Sequence, residues 1–313
     1  MNLASLPIGI VAGMAAALLF AGLVTQSPGA VVLALAAPIP ILIASLGWGS
    51  RAGFIAAATS AIAIAAFMGT VLAGLTMLLG SALPAALIGH MAGLARPAEG
   101  RIDGGGAVAL DWYPLPRLLL AIVLLAAASC VALGTIIGYD PAALDAAVAA
   151  AVAAQADSSI ADPQQVGEFV RLVVAAIPFV QPAFQVLTLV ACLYVSVAVV
   201  RLSGRLPRPK DDIPAHAGLP KLALPLFAVA LALAFLPGLV GTLGAVVTGA
   251  FAMAFTLVGL AFIHRRTRGR AARGLLLFTT YAAILLLSFP LFAFLVLGVF
   301  DTARNRTADE TRT

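Results

Sequence analysis

The sequence predicts an all-α integral membrane protein, a bundle of about eight or nine transmembrane helices with one helical loop on the outer side. Of 313 residues, 62% are hydrophobic and only 10% are charged, whereas a soluble domain carries about 25% charged residues. The mean hydropathy is +1.10, and long apolar runs alternate with short basic loops. Such a chain has too little polar surface to cover itself in water, so the lipid bilayer is its expected partner.

A spanning helix needs about 20 apolar residues, and nine stretches of the chain approach that length. We treat the whole chain, residues 1–313, as a single polytopic domain whose first four helices lie within residues 1–93. The nine candidates are residues 7–24, 30–47, 52–68, 70–93, 117–137, 179–200, 222–237, 239–263 and 275–299.

Basic loops fix the predicted orientation. Residues 201–221 and 264–273 are rich in arginine, and the longer loop 94–116 carries Arg96 and Arg101. Cations concentrate on the cytoplasmic side of membrane proteins, so we expect these three loops in the cytoplasm of a bacterium and the protein in its inner membrane. The N-terminus is then also cytoplasmic, and the first apolar run is expected to be a retained helix rather than a cleaved signal peptide.

One loop has the opposite character. Residues 138–168 contain five acidic side chains and neither lysine nor arginine, which places the loop outside. Asp140-Pro141 and Asp162-Pro163 each offer a helix cap followed by proline at the first helical position. The sequence therefore predicts two outer helices, the second running into the membrane through Pro178 and Pro182.

The C-terminal tail conflicts with nine crossings. Starting from the cytoplasm, nine spans leave residues 300–313 outside, yet this tail carries Arg304, Arg306 and Arg312. Either the tail is an exception to the charge rule, or one candidate is re-entrant. The best choices are 222–237, because it is short, and 275–299, because Pro290 interrupts it.

Several classes of chemistry are disfavoured. None of the spans carries a charged residue near its middle, so a proton-coupled pump and an intramembrane metalloprotease lack the groups they need. Cys130 and Cys192 lie inside apolar runs and are expected to be small core residues. The basic loops lack the aromatic interleaving of a nucleic-acid-binding surface. We expect no metal, no cofactor, no nucleic acid and no enzymatic activity.

Polar residues within spans are the remaining candidates for lining a ligand site. Gln181 and Gln185 share a helix face, Thr279 and Tyr281 lie in the last span, and His90 lies near the end of the fourth. Each has a simpler interpretation: helix–helix hydrogen bonding for the glutamines, bonding to its own backbone for the threonine, and an interfacial structural role for His90.

Small residues on the first span favour close helix contacts. Gly9 and Gly13 form a G-x-x-x-G pattern, and Ala12 and Ala16 repeat its spacing. Packing within the same chain is the default, and docking on a partner subunit is the sharper hypothesis.

Loop motifs carry a resemblance to a known family. An apolar span ends in LSGRLPRP (residues 202–209), Leu219, Pro220 and Pro225 open the next one, and LGVFD (297–301) precedes the tail. With the multi-span layout, this resembles the YybS-like family of bacterial multi-pass membrane proteins, which is distantly similar to the S components of energy-coupling-factor transporters. The resemblance implies binding of a vitamin or metal ion and docking of an alanine-rich first helix, through Ala12, Ala16 and Ala21, on a membrane coupling subunit.

The sequence thus favours S-component-like binding or transport of a small solute or lipid without an ATPase of its own, since it has no Walker motif. This hypothesis predicts a cavity near the outer half of span 179–200. A structural or assembly protein that scaffolds partners is the alternative. A membrane-lipid enzyme ranks third, and polar residues clustered with His90 at an inner-face cleft would favour it.

Overall fold

The computed structural model describes residues 5–25, 27–102, 108–155, 163–287 and 290–310. Within them the chain is almost entirely helical. The α-helices are α1 (Ser5–Ala21), α2 (Pro28–Leu35), α3 (Pro38–Trp48), α4 (Ser50–Met68), α5 (Val71–Met77), α6 (Leu83–Ala92), α7 (Leu115–Ile137), α8 (Pro141–Gln155), α9 (Pro163–Leu202), α10 (Ile213–His216), α11 (Ala223–Ala234), α12 (Gly238–Arg266), α13 (Arg273–Leu286) and α14 (Pro290–Glu310).

Seven helical segments of the described chain are long and apolar enough to cross a membrane, which supports the helical membrane class. They match the first six predicted spans and 239–263. The other two candidates differ from the prediction. The stretch 222–237 forms only the 12-residue helix α11, and 275–299 is divided between α13 and α14 at Pro290.

Glycine on α1 serves packing within the chain. A Cβ on Gly9 would lie 2.7 Å from Ile55 Cβ, and one on Gly13 would lie 2.5 Å from the Ala56 carbonyl oxygen. Both neighbours belong to α4, so the small-residue face of α1 lies against this helix, and Ala16 is fully buried. Ala12 is partly buried against the same core. The opposite face of α1 is apolar and exposed, notably at Val11 and Leu18.

Two of the seven segments are internally broken, and α9 donates hydrogen bonds to carbonyls near both breaks. Pro38 separates α2 from α3, and Ile39 N–H turns to Ala36 rather than Leu35. The thiol of Cys192 donates to the freed Leu35 carbonyl at 3.3 Å. The hydroxyl of Ser196 donates to the Ile39 carbonyl at 3.4 Å.

The second break is a π-helical turn, Leu78–Ala82, between α5 and α6. In a continuous α-helix the Gly80 carbonyl would accept from residue 84, but Pro84 has no N–H. The side-chain amide of Gln185 donates to this carbonyl instead. Gln185, Cys192 and Ser196 are spaced by seven and four residues, so one face of α9 donates to all three carbonyls.

The described part of residues 138–168 is helical, as predicted. Pro141 opens α8 and Pro163 opens α9. The latter continues for 40 residues through Pro178 and Pro182. Residues 156–162, including Asp157 and the predicted cap Asp162, lie outside the described residues.

Helix α12 lies at the centre of the second half. It packs against α7, α9, α11 and α14, and Phe251 and Phe255 on it are fully buried against Phe227 of α11. Cys130 and Cys192 are free thiols in the buried core, as predicted.

Loop 94–116 contains two short strands. Ala95–Ile102 (β1) pairs with Val108–Trp112 (β2) in an antiparallel hairpin, with Ala95 opposite Trp112. Apolar and polar residues do not alternate regularly enough in this loop to predict strands. The triple glycine, residues 104–106, lies outside the described residues.

The basic loops meet at one end of the bundle, which we call the basic end. There α3, α6, α9 and α12 finish and α4 begins. Arg208 donates to the Ala92 and Tyr113 carbonyls, while Arg268 pairs with Asp212 at 2.6 Å. The loop after α9 is therefore bonded to the end of α6, to the residues before α7 and to the residues after α12.

Candidate functional site

The residues proposed from sequence to line a ligand site lie in separate places. Gln181 is exposed, whereas Gln185 is bonded to the π turn. Thr279 Oγ1 donates to the carbonyls of its own helix, one turn back. Tyr281 Oη lies 2.8 Å from His264 Nε2 at the end of α12. Only His90 lies beside a cavity that the structure describes.

This cavity lies at the basic end and has a volume of about 240 Å³. It therefore lies at the opposite end of α9 from the predicted outer cavity. Five segments enclose it: the last turn of α3, the first residue of α4, the last turn of α6, Trp112 of β2, and the loop after α9. The lining residues used below are Ser45, Gly49, Ser50, Trp112, Arg205 and Arg208.

Gly49 turns the chain from α3 into α4 in a single residue. Its φ of +93° is a conformation that L side chains rarely adopt. Its N–H bonds to Ser45 to finish α3, and it is also the residue that caps α4. No side chain caps α4, and Gly49 and Ser50 line the cavity, so the positive N-terminal end of this 19-residue helix lies at the cavity.

Ser45 contributes a buried hydroxyl with no partner. The residue is 4% exposed, and its Oγ has no hydrogen-bond partner among the described residues. It is wedged between Gly53 and Gly89, where an added Cβ would lie 2.6 and 2.7 Å from Ser45 Cβ. A buried, unpaired hydroxyl costs free energy unless something in the cavity bonds to it.

Two arginines line the cavity. Only the guanidinium of Arg208 is engaged by hydrogen bonds among the described residues. Arg208 is buried, forms a two-pronged pair with Asp211 at 2.7 and 3.2 Å and binds the two carbonyls named above. Arg205 is exposed, and its guanidinium carbon lies 4.7 Å from the centre of the Trp48 ring. The ring orients the cation without neutralising its charge.

Ser50 and His90 form a pair at the edge of the cavity. Ser50 Oγ lies 2.7 Å from His90 Nδ1, and Phe54 packs against the histidine ring with centroids 6.1 Å apart. Ser50 is the first residue of α4 and lines the cavity, so the pair joins a hydroxyl inside the cavity to a titratable group beside it.

The arrangement favours an oxyanion. A helix N-terminus, the Arg205 guanidinium and two serines line one space. Sequence reasoning identified His90 and the basic loop 201–221 separately, but missed Ser45, Ser50 and the importance of Arg205. The available signal was the segment Gly47-Trp48-Gly49-Ser50, which places two glycines and a serine at a predicted inner turn.

Comparison with known proteins gives no relative: no family model, no curated protein and no solved structure matches the chain. The resemblance to YybS-like proteins stays a prediction.

Proposed function

We propose that this chain is a multi-pass protein of the bacterial inner membrane, with its N-terminus and basic end in the cytoplasm, and that its cavity binds a phosphate group. The group belongs either to the head of a membrane lipid or to a small phosphorylated solute. This keeps the binding function expected from sequence and moves its location from the outer half of α9 to the basic end.

The observation that supports it best is that Ser45, whose hydroxyl is unpaired among the described residues, lines the same cavity as Arg205 and the start of α4. Each of these groups stabilises an oxyanion, and none of them is neutralised by an acidic side chain described at the cavity. Asp211, the nearest carboxylate in the loop, is engaged by Arg208. A cavity at the level of the lipid head groups would be open to both kinds of phosphate.

The test is thermal stabilisation of the full chain in an uncharged detergent and a phosphate-free buffer. Inorganic phosphate and a short-chain phosphatidylglycerol are titrated separately. We expect at least one to raise Tm saturably, and Arg205→Gln to weaken that binding by about 10- to 100-fold, the loss of one charge-assisted hydrogen bond. Lys210→Gln, an exposed cation of the same loop, is the matched control and should bind normally.

The two sources of phosphate give different results. Stabilisation by inorganic phosphate indicates a soluble ligand, and stabilisation by the lipid alone indicates a head group. No saturable stabilisation by either, or equal losses in Arg205→Gln and Lys210→Gln, contradicts the proposal.

A second candidate function rests on the 2.7 Å contact between Ser50 and His90. In a membrane-lipid esterase, Ser50 Oγ would attack an acyl carbonyl while its proton passes to His90 Nδ1, and the N–H groups at the start of α4 would face the developing oxyanion. His90 would then return the proton to the departing alcohol, and water would release the acyl group.

Covalent labelling separates this enzyme from a binding protein. A fluorophosphonate probe should label the native chain and Ser45→Ala, but neither Ser50→Ala nor His90→Gln. If the native protein resists the probe while still binding phosphate, the esterase hypothesis is wrong and the binding proposal stands.

A further inference from the structure

We infer that α13 and α14 form a re-entrant helical pair: the chain enters the bundle from the basic end at α13, and α14 returns it to the same end. The exposed face of α13 is then covered by lipid chains. The inference does not depend on the phosphate site.

The direction of α14 follows from two contacts with α12. The helices cross at Gly259 and Gly298, where a Cβ on either glycine would collide with a carbonyl of the other helix, Phe294 or Phe255. Beyond the crossing, Arg265 Nη2 lies 2.7 Å from Asp301 Oδ1. Both partners of the pair lie C-terminal to their own crossing glycine, so α12 and α14 run in the same direction.

Both helices therefore finish at the basic end. Arg265 also donates to the Pro214 carbonyl at 3.3 Å, so Asp301 lies in the same polar layer as the loop after α9. Asp301 is buried, and its pairing with Arg265 satisfies a carboxylate that would be costly to bury alone. Arg304 follows one turn later, with its guanidinium carbon 5.7 Å from the Phe300 ring.

Helix α13 begins at this end too. Arg273 follows the last residue of α12 by seven positions, and Tyr281 reaches His264 in the last turn of α12. At about 1.5 Å per residue, the 14 residues of α13 extend for about 21 Å. The hydrocarbon core is about 30 Å thick, so α13 is too short to cross it.

The start of α14 gives the depth of the pair. Pro290 precedes the crossing at Gly298 by eight residues, or about 12 Å, whereas α12 extends from the crossing back to Gly238, or about 31 Å. The pair therefore turns back well before the far end of α12.

The surface of α13 suits lipid rather than water. None of its residues is buried, and its exposed side chains include Leu275, Phe278, Leu285 and Leu286. Its threonine hydroxyls donate to carbonyls of the same helix, so these polar groups need no external partner. Arg270 and Arg273 precede this apolar stretch, where lipid phosphates would meet them.

Cysteine labelling in the full chain tests the inference. Lys210→Cys marks the basic end, Leu236→Cys marks the far end, and Arg304→Cys marks the tail. An impermeant maleimide is applied to intact cells and to inside-out vesicles, with the unsubstituted chain, whose two thiols are buried, giving the background. We expect Arg304→Cys to label from the side of Lys210→Cys.

Labelling of Arg304→Cys from the side of Leu236→Cys would overturn the inference, because the last two helices would then cross the membrane. Leu285→Cys should resist the reagent from both sides, and its labelling from the far side would overturn the inference as well. A protease site appended after Thr313 gives the same test without altering a side chain: cleavage from the side of Lys210 supports the re-entrant pair, and cleavage from the far side contradicts it.

Discussion

Two of the regions that enclose polar side chains in this bundle use them differently. Along α9, Gln185, Cys192 and Ser196 each donate to a backbone carbonyl at a helix break. At the basic end, Ser45 is buried, and its hydroxyl has no partner among the described residues. The side chains of the first region bond to backbone carbonyls of neighbouring helices. In the second region, the Ser45 hydroxyl is left to bond a ligand. Burial of a polar group alone therefore does not mark a site, and Ser45 differs in being both unpaired among the described residues and a lining residue of the cavity.

The largest effect that this comparison predicts is at Gln185. Gln185→Leu should leave the Gly80 carbonyl unpaired inside the bundle and lower the free energy of unfolding by about 1–3 kcal/mol. Unfolding in mixed detergent micelles measures the change. Gln181→Leu, an exposed glutamine one turn earlier, is the control and should be nearly neutral. Equal losses of unfolding free energy in Gln185→Leu and Gln181→Leu would show that the hydrogen bond to the Gly80 carbonyl does not stabilise the fold.

Ser45→Ala should weaken phosphate binding but leave stability nearly unchanged. No hydrogen bond is lost, so we expect the free energy of unfolding to change by less than about 0.5 kcal/mol. Phosphate binding should weaken by about 2- to 10-fold, since a neutral hydrogen bond contributes about 0.5–1.5 kcal/mol. The same unfolding assay and a phosphate titration measure the two quantities. A large loss of stability with unchanged binding would show that Ser45, like Gln185, stabilises the fold and does not bind phosphate.

The smallest predicted effect is that of the ion pair between Arg268 and Asp212 in the loop after α9. Hydrogen bonds from Arg268 lower the pKa of Asp212 from 3.8 to about 2. Because the folded pKa is the lower one, the pair stabilises the fold above pH 3.8 and loses this contribution as the pH falls towards 2. Both side chains are 41% exposed, so salt should weaken the effect.

The Tm difference between the native chain and Asp212→Asn checks this prediction. It should be small and constant from neutral pH to about pH 5, and should narrow below about pH 4 as the native carboxylate is protonated. A difference that grows on acidification would show that the ion pair does not stabilise the loop.

The sequence predicted much of this fold because hydropathy and proline placement are local signals. Apolar runs located the seven long helices, and the Asp-Pro steps indicated the starts of α8 and α9. The charge of the tail already raised the re-entrant alternative for 275–299, although only the contact of Gly259 with Gly298 and the Arg265–Asp301 pair show which way α14 runs.

The cavity could not be predicted in the same way. Ser45 and Arg205 are 160 positions apart, and no periodicity links a serine in one helix to an arginine in a distant loop. The π turn was also missed, because Pro84 is equally compatible with a kinked α-helix. Gln185 was proposed as a ligand-lining residue with helix–helix hydrogen bonding as the simpler interpretation, and the structure shows the latter, with the Gly80 carbonyl of another span as its partner.

Tryptophan fluorescence tests the phosphate site most directly, because the chain has only two tryptophans and both flank the cavity: Trp48 beneath Arg205 and Trp112 in the lining. Inorganic phosphate and short-chain phosphatidylglycerol are titrated in turn into the full chain in an uncharged detergent. We expect a saturable change in emission with at least one of them, shifted to higher concentration in Ser45→Ala and Arg205→Gln but not in Lys210→Gln. An emission that does not respond to either ligand, or that responds equally in all four proteins, would contradict phosphate binding at the basic end.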